Sequence, residues 1–184
     1  MLNKKNLLEA IKPYRYNKDN SEFFNHYETA RKGFDNIINK SNDERVLQKY
    51  LEDYPILLLN AGLKDFLPFA SRRCALFSKI PLGECFETDF AFVHADSGGA
   101  WWFFIELERA DVNLFNKNGD MSSHLSHAFR QITDWQSWIK DHKDYAQSCF
   151  GKLQRSAGIY HNVKFCAEPK FIIIMFHGFN SHLN

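Results

Sequence analysis

The segment Trp101-Trp102-Phe103-Phe104-Ile105 constrains the fold more than any other part of the chain. Side chains on a strand alternate between the two faces of a sheet. A strand that is apolar at every position therefore needs cover on both sides, as in a central strand with a layer packed on each face. The run ends in Glu106-Leu107-Glu108-Arg109, so two carboxylates at i and i+2 follow directly on a stretch built for a dry interior.

The rest of the chain supplies the covering layers. A helix over residues 2–12 stops at Pro13. A second helix, capped by Asn20 or Ser21, carries Phe23, Phe24, Tyr27, Ala30, Phe34, Ile37 and Ile38 at helical spacing. Ser41 and Glu44 have the spacing of a capping box. They open a third helix with Val46, Leu47, Tyr50, Leu51 and Tyr54 on one side, ended or kinked at Pro55. Residues 60–72 read as a connection. Strands are expected at Cys74–Ile80, Cys85–His94 and Trp101–Arg109. Pro81-Leu82-Gly83 forms a turn, and Asp96-Ser97-Gly98-Gly99 a hairpin turn. A polar loop over 110–120 leads to a long helix from Ser122 to Lys140, with Leu125, Ala128, Phe129, Ile132, Trp135 and Ile139 facing the core. A helix over Asp144–Arg155 and short buried strands at Val163–Cys166 and Phe171–Phe176 complete an α/β or α+β arrangement around a central sheet.

Pairing the second and third strands exposes the chemistry. A hairpin centred between Ser97 and Gly98 sets Asp89 opposite Glu106 and Glu87 opposite Glu108, all on one face with Ala91, Trp102 and Phe104. The opposite face carries Phe86, Phe90, Phe92, Trp101, Phe103, Ile105 and Leu107. Like charges opposed across a sheet are destabilising, and burying them costs more. A cation, basic neighbours or raised pKa values would relieve the cluster. Oxygen-only donors suit Mg²⁺ or Mn²⁺. Strand carboxylates are ordinarily solvated, and a one-residue slip in register would move these to opposite faces.

His124, His127, Gln131 and Asp134 share a face of the long helix, where a zinc site is one reading and a solvated face the other. Arg72, Arg73, Lys79 and Arg109 near the sheet edge are either phosphate contacts or solvated surface charges. Net charge is only +1, which excludes a purely electrostatic nucleic-acid binder. The charge is uneven: residues 1–80 hold 14 Lys and Arg against 10 Asp and Glu, and the remainder 9 against 12. Cys74, Cys85, Cys149 and Cys166 form no metal knuckle or redox pair, which fits reduced thiols and a cytoplasmic setting. No apolar run is long enough to span a bilayer. The chain holds no Walker loop, dinucleotide fingerprint, nucleophile elbow or HExxH motif.

Asp89…Glu106-x-Glu108 resembles the core of the PD-(D/E)xK nuclease superfamily. More narrowly, Glu87–Ile139 resembles the catalytic domain of Shedu antiphage-defence proteins. The likeness includes the helix His127-Ala128-Phe129-Arg130-Gln131-Ile132-Thr133-Asp134-Trp135. Upstream, Glu44-Arg45-Val46-Leu47-Gln48-Lys49-Tyr50-Leu51-Glu52-Asp53-Tyr54-Pro55 resembles the family's E-x-x-L-Q-x-x-L-E-x-x-P helix. The resemblance covers about residues 43–176. It implies a restriction-endonuclease-like mixed central sheet flanked by helices over 43–184, preceded by an N-terminal helical segment over 1–42.

The same resemblance implies a metal-dependent DNA endonuclease or nickase. Asp89 and Glu106 hold Mg²⁺ or Mn²⁺, Glu44 orients water or completes the acidic set, and Gln131 positions the active-site face. DNA is the partner, with Arg109, Lys79 and Arg73 as contacts. A homo-oligomer is implied, with no membrane and no small-molecule cofactor. The sequence departs from the superfamily at Glu108, where a Lys is usual. Glu108 cannot stabilise developing negative charge, though it can ligate metal or accept a proton; Arg109 or Lys79 would compensate. Two other functions compete with cleavage. One is a catalytically degenerate nuclease-fold module that binds DNA, and the other a module for protein assembly.

Overall fold

The computed structural model describes residues 14–15, 21–40, 43–61, 74–108, 113–160 and 170–175. In chain order the elements are β1 (Tyr14–Arg15), α1 (Ser21–Lys40), α2 (Glu44–Asp53), α3 (Ile56–Ala61), β2 (Cys74–Ser78), β3 (Pro81–Leu82), β4 (Phe86–Glu87), β5 (Phe90–Asp96), β6 (Gly99–Glu108), α4 (Ser123–Asp141), α5 (Lys143–Ser156) and β7 (Lys170–Met175). The main sheet has the order β1-β2-β5-β6-β7, and β3 with β4 forms a separate two-stranded sheet. β1, β2, β5 and β6 are antiparallel neighbours, whereas β7 runs parallel to β6, with Phe104 beside Phe171 and Glu108 beside Met175. The fold is a mixed α/β one.

β6 is central and covered on both faces, as its composition requires. Trp102 and Phe104 join Phe77, Ala91, Val93, Ile132, Trp135, Ile139, Phe150 and Leu153 in one buried layer beneath α4 and α5. Phe103, Ile105 and Leu107 join Leu76, Phe90, Phe92, Leu47, Leu51 and Ala30 in the other, beneath α1, α2 and α3. The β5–β6 register is the expected one: Ser97-Gly98 forms the two-residue loop, and Phe90 pairs with Ile105.

The structure corrects several local expectations. The strand expected over Cys85–His94 is broken at Thr88 and Asp89. There the Thr88 N–H donates to the Ile80 carbonyl (2.9 Å) and the Lys79 N–H to the Asp89 carbonyl (3.0 Å). These bonds draw the chain into a bend, so Glu87 pairs with Pro81 in the small sheet and is exposed rather than set opposite Glu108. Pro81-Leu82 is likewise a strand, and the turn falls at Gly83, whose φ of +65° favours glycine. Phe86 packs against the layer of α4 and α5, not the opposite one. Phe129 is exposed, because it lies off the α4 stripe that meets the sheet, and Val46, expected beside Leu47 and Leu51 on α2, is exposed as well. The cap of α2 is Asp43, whose side chain accepts from the Arg45 N–H, instead of Ser41. The helix Ile56–Ala61 takes in the first two residues of the connection expected over 60–72, the rest of which lies outside the described residues. The helix expected over 2–12 and the strand expected over 163–166 lie outside the described residues.

α4 begins where its sequence asks: the Ser122 hydroxyl accepts from the Leu125 N–H. Pro55 separates α2 from α3. Tyr50 on α2 donates its hydroxyl proton to the Ala30 carbonyl of α1 at 2.8 Å, tying those helices together. Phe104 is fully buried and contacts Phe150 across the layers, with ring centroids 5.2 Å apart. Phe104→Ala is expected to lower unfolding free energy by about 3–5 kcal/mol, through lost burial and a residual cavity. Urea denaturation of the two proteins, compared at equal slope, checks this.

Candidate active site

Four acidic side chains meet where β6 ends and β5 begins. Glu106 and Glu108 continue the face of β6 that carries Trp102 and Phe104, and both are buried at 5% exposure. Asp89 occupies the bend before β5 and is 7% exposed. Glu44 opens α2, close enough for the charges of Asp89 and Glu108 to act on it. The β6 alternation thus delivers two acids to one side of the sheet, and the bend and a helix start deliver the other two.

Asp89 is held by donors on both oxygens. Lys79 Nζ donates to Oδ1 at 2.7 Å, and the Leu107 N–H donates to Oδ2 at 2.8 Å. Lys79 reaches this position from a left-handed backbone with φ of 53°, uncommon for a residue with a side chain. Such backbone strain collects at functional sites. Burial acts to lower the Lys79 pKa. Its hydrogen bond to Asp89, with the charges of Asp89, Glu87 and Glu44, outweighs burial and holds the pKa above the ordinary lysine value.

Glu106 is the most perturbed acid. Burial, then the charge of Asp89 and a hydrogen bond to it, push its pKa up to about 9. Burial also raises Glu44, aided by the negative charges of Asp89 and Glu108. Glu106 is thus favoured in its protonated form and donates to Asp89. His124, in the first turn of α4, places Nδ1 3.8 Å from Glu108 Oε2.

Of the residues singled out from sequence, Asp89, Glu106, Glu108, Glu44 and Lys79 come together here. Gln131 is half-buried on α4, seven residues beyond His124, and among the described residues no hydrogen bond joins it to the acids. His127 and Asp134 are exposed on the same helix. Arg72, Arg73 and Arg109 lie outside the described residues, as does Cys166. Among the described residues Cys74, Cys85 and Cys149 form no disulfide. Sequence reasoning assigned no role to Gln48, whose amide touches the Asp89 carbonyl. Its place four residues after Glu44 on one helix face was the available signal.

Among the described residues, no group of three His, Cys, Asp or Glu side chains is assembled to hold a metal ion unaided. The oxygen donors Asp89 and Glu106 still suit a hard cation, because Mg²⁺ commonly takes one or two carboxylates and completes its shell with water and phosphate. Two buried acids that favour a proton between them also favour a divalent charge in its place.

The Glu106 shift has a direct consequence for stability. Its native pKa lies above the unfolded value of 4.5, so its stabilising contribution is complete below about pH 4.5 and is lost as pH rises toward about 9. Without divalent ions, the wild type should lose stability across pH 5–9, by at most about 1.4 kcal/mol per pH unit from this proton. Glu106→Gln should flatten that slope and melt higher than wild type at pH 8. Thermal unfolding in chelator-treated buffers across this range checks it, and parallel profiles for the two proteins would contradict it.

Among the described residues no helix is long and apolar enough to cross a membrane. Searches of curated proteins and of solved structures return no match to this chain. A family model does match: residues 41–178 fit the model described as Shedu protein SduA, C-terminal. Because the match takes in Glu44, Asp89, Glu106 and Glu108 with the elements from α2 to β7, and covers most of the chain, the protein belongs to the Shedu family, a membership that points to antiphage defence.

Proposed function

We propose that this chain is a metal-dependent DNA endonuclease or nickase with a restriction-endonuclease-like sheet, hydrolysing phosphodiester bonds in antiphage defence. The observation that carries the proposal is the buried Asp89–Glu106 pair, where burial and the neighbouring acid push Glu106 up to about 9. A dry pair of carboxyls weakens a fold, and such perturbed acids gather at catalytic and metal sites.

In this reading Asp89 and Glu106 hold Mg²⁺ or Mn²⁺, which when bound lowers the pKa of water and neutralises charge on the phosphate. The Leu107 N–H keeps Asp89 oriented through Oδ2. Glu44 accepts a proton or orients water at the open side of the cluster. Lys79 is the cation of the site. Its side chain is 42% exposed, so the ammonium that bonds Asp89 Oδ1 would also meet the developing charge on a phosphate oxygen. That is the work Glu108 cannot do. Glu108 and His124 form an acid–imidazole pair beside it, suited to moving a proton at the leaving oxygen. Arg109 and Arg73 contact the phosphate backbone, and copies of the chain associate as a homo-oligomer.

A second reading has a specific basis. Glu108 stands where the superfamily usually has Lys, and no three-ligand group is assembled among the described residues. A degenerate module that binds DNA or assembles with protein, without cutting, accommodates both facts.

Incubating supercoiled plasmid or phage DNA with the protein in Mg²⁺ or Mn²⁺ separates these readings. Cleavage should fall by about 10²-fold or more in Asp89→Ala and Glu106→Gln, and about 10²-fold in Lys79→Met, with folding retained by circular dichroism. Undiminished cleavage by Asp89→Ala would overturn the catalytic assignment. Salt-sensitive DNA binding by a wild type that never cleaves would support the degenerate module.

A further inference from the structure

We propose that Gln48 is a positioning residue that locks Asp89 to helix α2 and so sets the affinity of the site for a divalent cation. The metal half of this proposal rests on the function proposed above; the positioning half stands on geometry alone. Asp89 precedes β5, whose pairing with β6 starts at Phe90, so the ladder does not restrain its main chain. Two other bonds do. The Asp89 carbonyl accepts from the Lys79 N–H at 3.0 Å and from Gln48 Nε2 at 3.3 Å.

Gln48 is 7% exposed, and its Nε2 also lies 3.1 Å from Glu52 Oε1 and 3.2 Å from Ser78 Oγ. The Ser78 hydroxyl in turn donates to Glu52. The orientation of the amide follows from these contacts: turned over, its oxygen would face the Asp89 carbonyl and a Glu52 oxygen. In the orientation held, Gln48 Oε1 is buried with no hydrogen-bond partner among the described residues. A buried acceptor left unpaired is costly and uncommon. The cost is tolerated at a side chain whose donor end secures the main chain of a site residue.

Helix geometry extends the effect. Gln48 is four residues after Glu44 and four before Glu52, so the three share a face of α2. The charge of Asp89 already acts on Glu44. With Gln48 as the tie, Glu44 and Asp89 keep one relative position. Without it, the bend at residue 89 and the start of α2 move independently, and a site needing both acids loses its preorganisation.

The experiment compares wild type with Gln48→Met, which keeps side-chain size and removes the donor. Two backbone amides report directly on Asp89: Lys79 N–H bonds its carbonyl, and Leu107 N–H bonds its Oδ2. Hydrogen exchange measured by NMR should be about tenfold or more faster at these two amides, with Phe92 and Phe103 in the adjoining ladder unchanged. Calorimetric titration with Mn²⁺ should show affinity about tenfold weaker. Leu51→Val, which loosens the same helix without touching the tie, should lower Tm and leave Mn²⁺ affinity as in wild type.

Wild-type exchange at both amides in Gln48→Met would overturn the positioning role. Lost protection with unchanged Mn²⁺ affinity would overturn the link to the cation. A wild type that binds no Mn²⁺, alone or with DNA, would instead refute the proposed metal-dependent function, and the exchange data would still decide the positioning role. If Gln48→Met does not fold, Gln48→Ala, which lets water reach the Asp89 carbonyl, replaces it in the same measurements.

Discussion

Two carboxyl groups in a dry space cannot both hold a negative charge without a counter-charge or a proton, and the site of this protein is organised around that constraint. Asp89 and Glu106 are both buried. One solution is visible in the geometry: Asp89 receives Lys79 and a main-chain N–H, while Glu106 favours its proton and donates to Asp89. In the proposed function a divalent cation would be the other solution, using the same oxygens. On that reading the pH dependence of the fold and the binding of metal would be two aspects of one equilibrium.

The rest of the architecture serves the position of that pair. β6 lies between β5 and β7 and is covered by helices on both faces, which makes its apolar stretch a rigid platform. Where that stretch gives way to Glu106 and Glu108, the alternation carries the acids onward in the direction already set by Trp102 and Phe104. The bend at Thr88 and Asp89 then decides what stands opposite them. It keeps Asp89 near Glu106 and turns Glu87 away to Pro81, so Glu87 does not add to the acids already gathered with Glu108. The left-handed Lys79 is part of the same bend, since its N–H bonds the Asp89 carbonyl and its ammonium the Asp89 carboxylate.

Membership in the Shedu family and the acidic cluster point the same way, but they are separate kinds of support. The family match speaks to the biological setting. The cluster speaks to chemistry, through burial, like charge and a cation at its mouth. In the proposed nuclease reading Glu108 would stand where a lysine is usual, and Lys79, bonded to Asp89 Oδ1, is the positive charge the structure places at the acids.

The sequence by itself determined the central strand, the hairpin and its register, and the neighbourhood of Asp89 and Glu106. Those features follow from local rules: strict alternation, a two-residue turn, and an apolar run that cannot face water. The covering stripes of α1 from Tyr27 onward, α2 and α4 were legible for the same reason, apart from Val46 and Phe129, which a helical period admits to the stripe but packing leaves outside. Only the tertiary structure decided the break between Glu87 and Phe90, the approach of Lys79, and the role of Gln48. Each depends on a hydrogen bond between residues far apart in sequence or on a backbone angle that no periodic pattern encodes. A spacing rule can place a carboxylate on a face. What holds it there, and which cation answers it, is decided by groups that only the folded chain brings within reach.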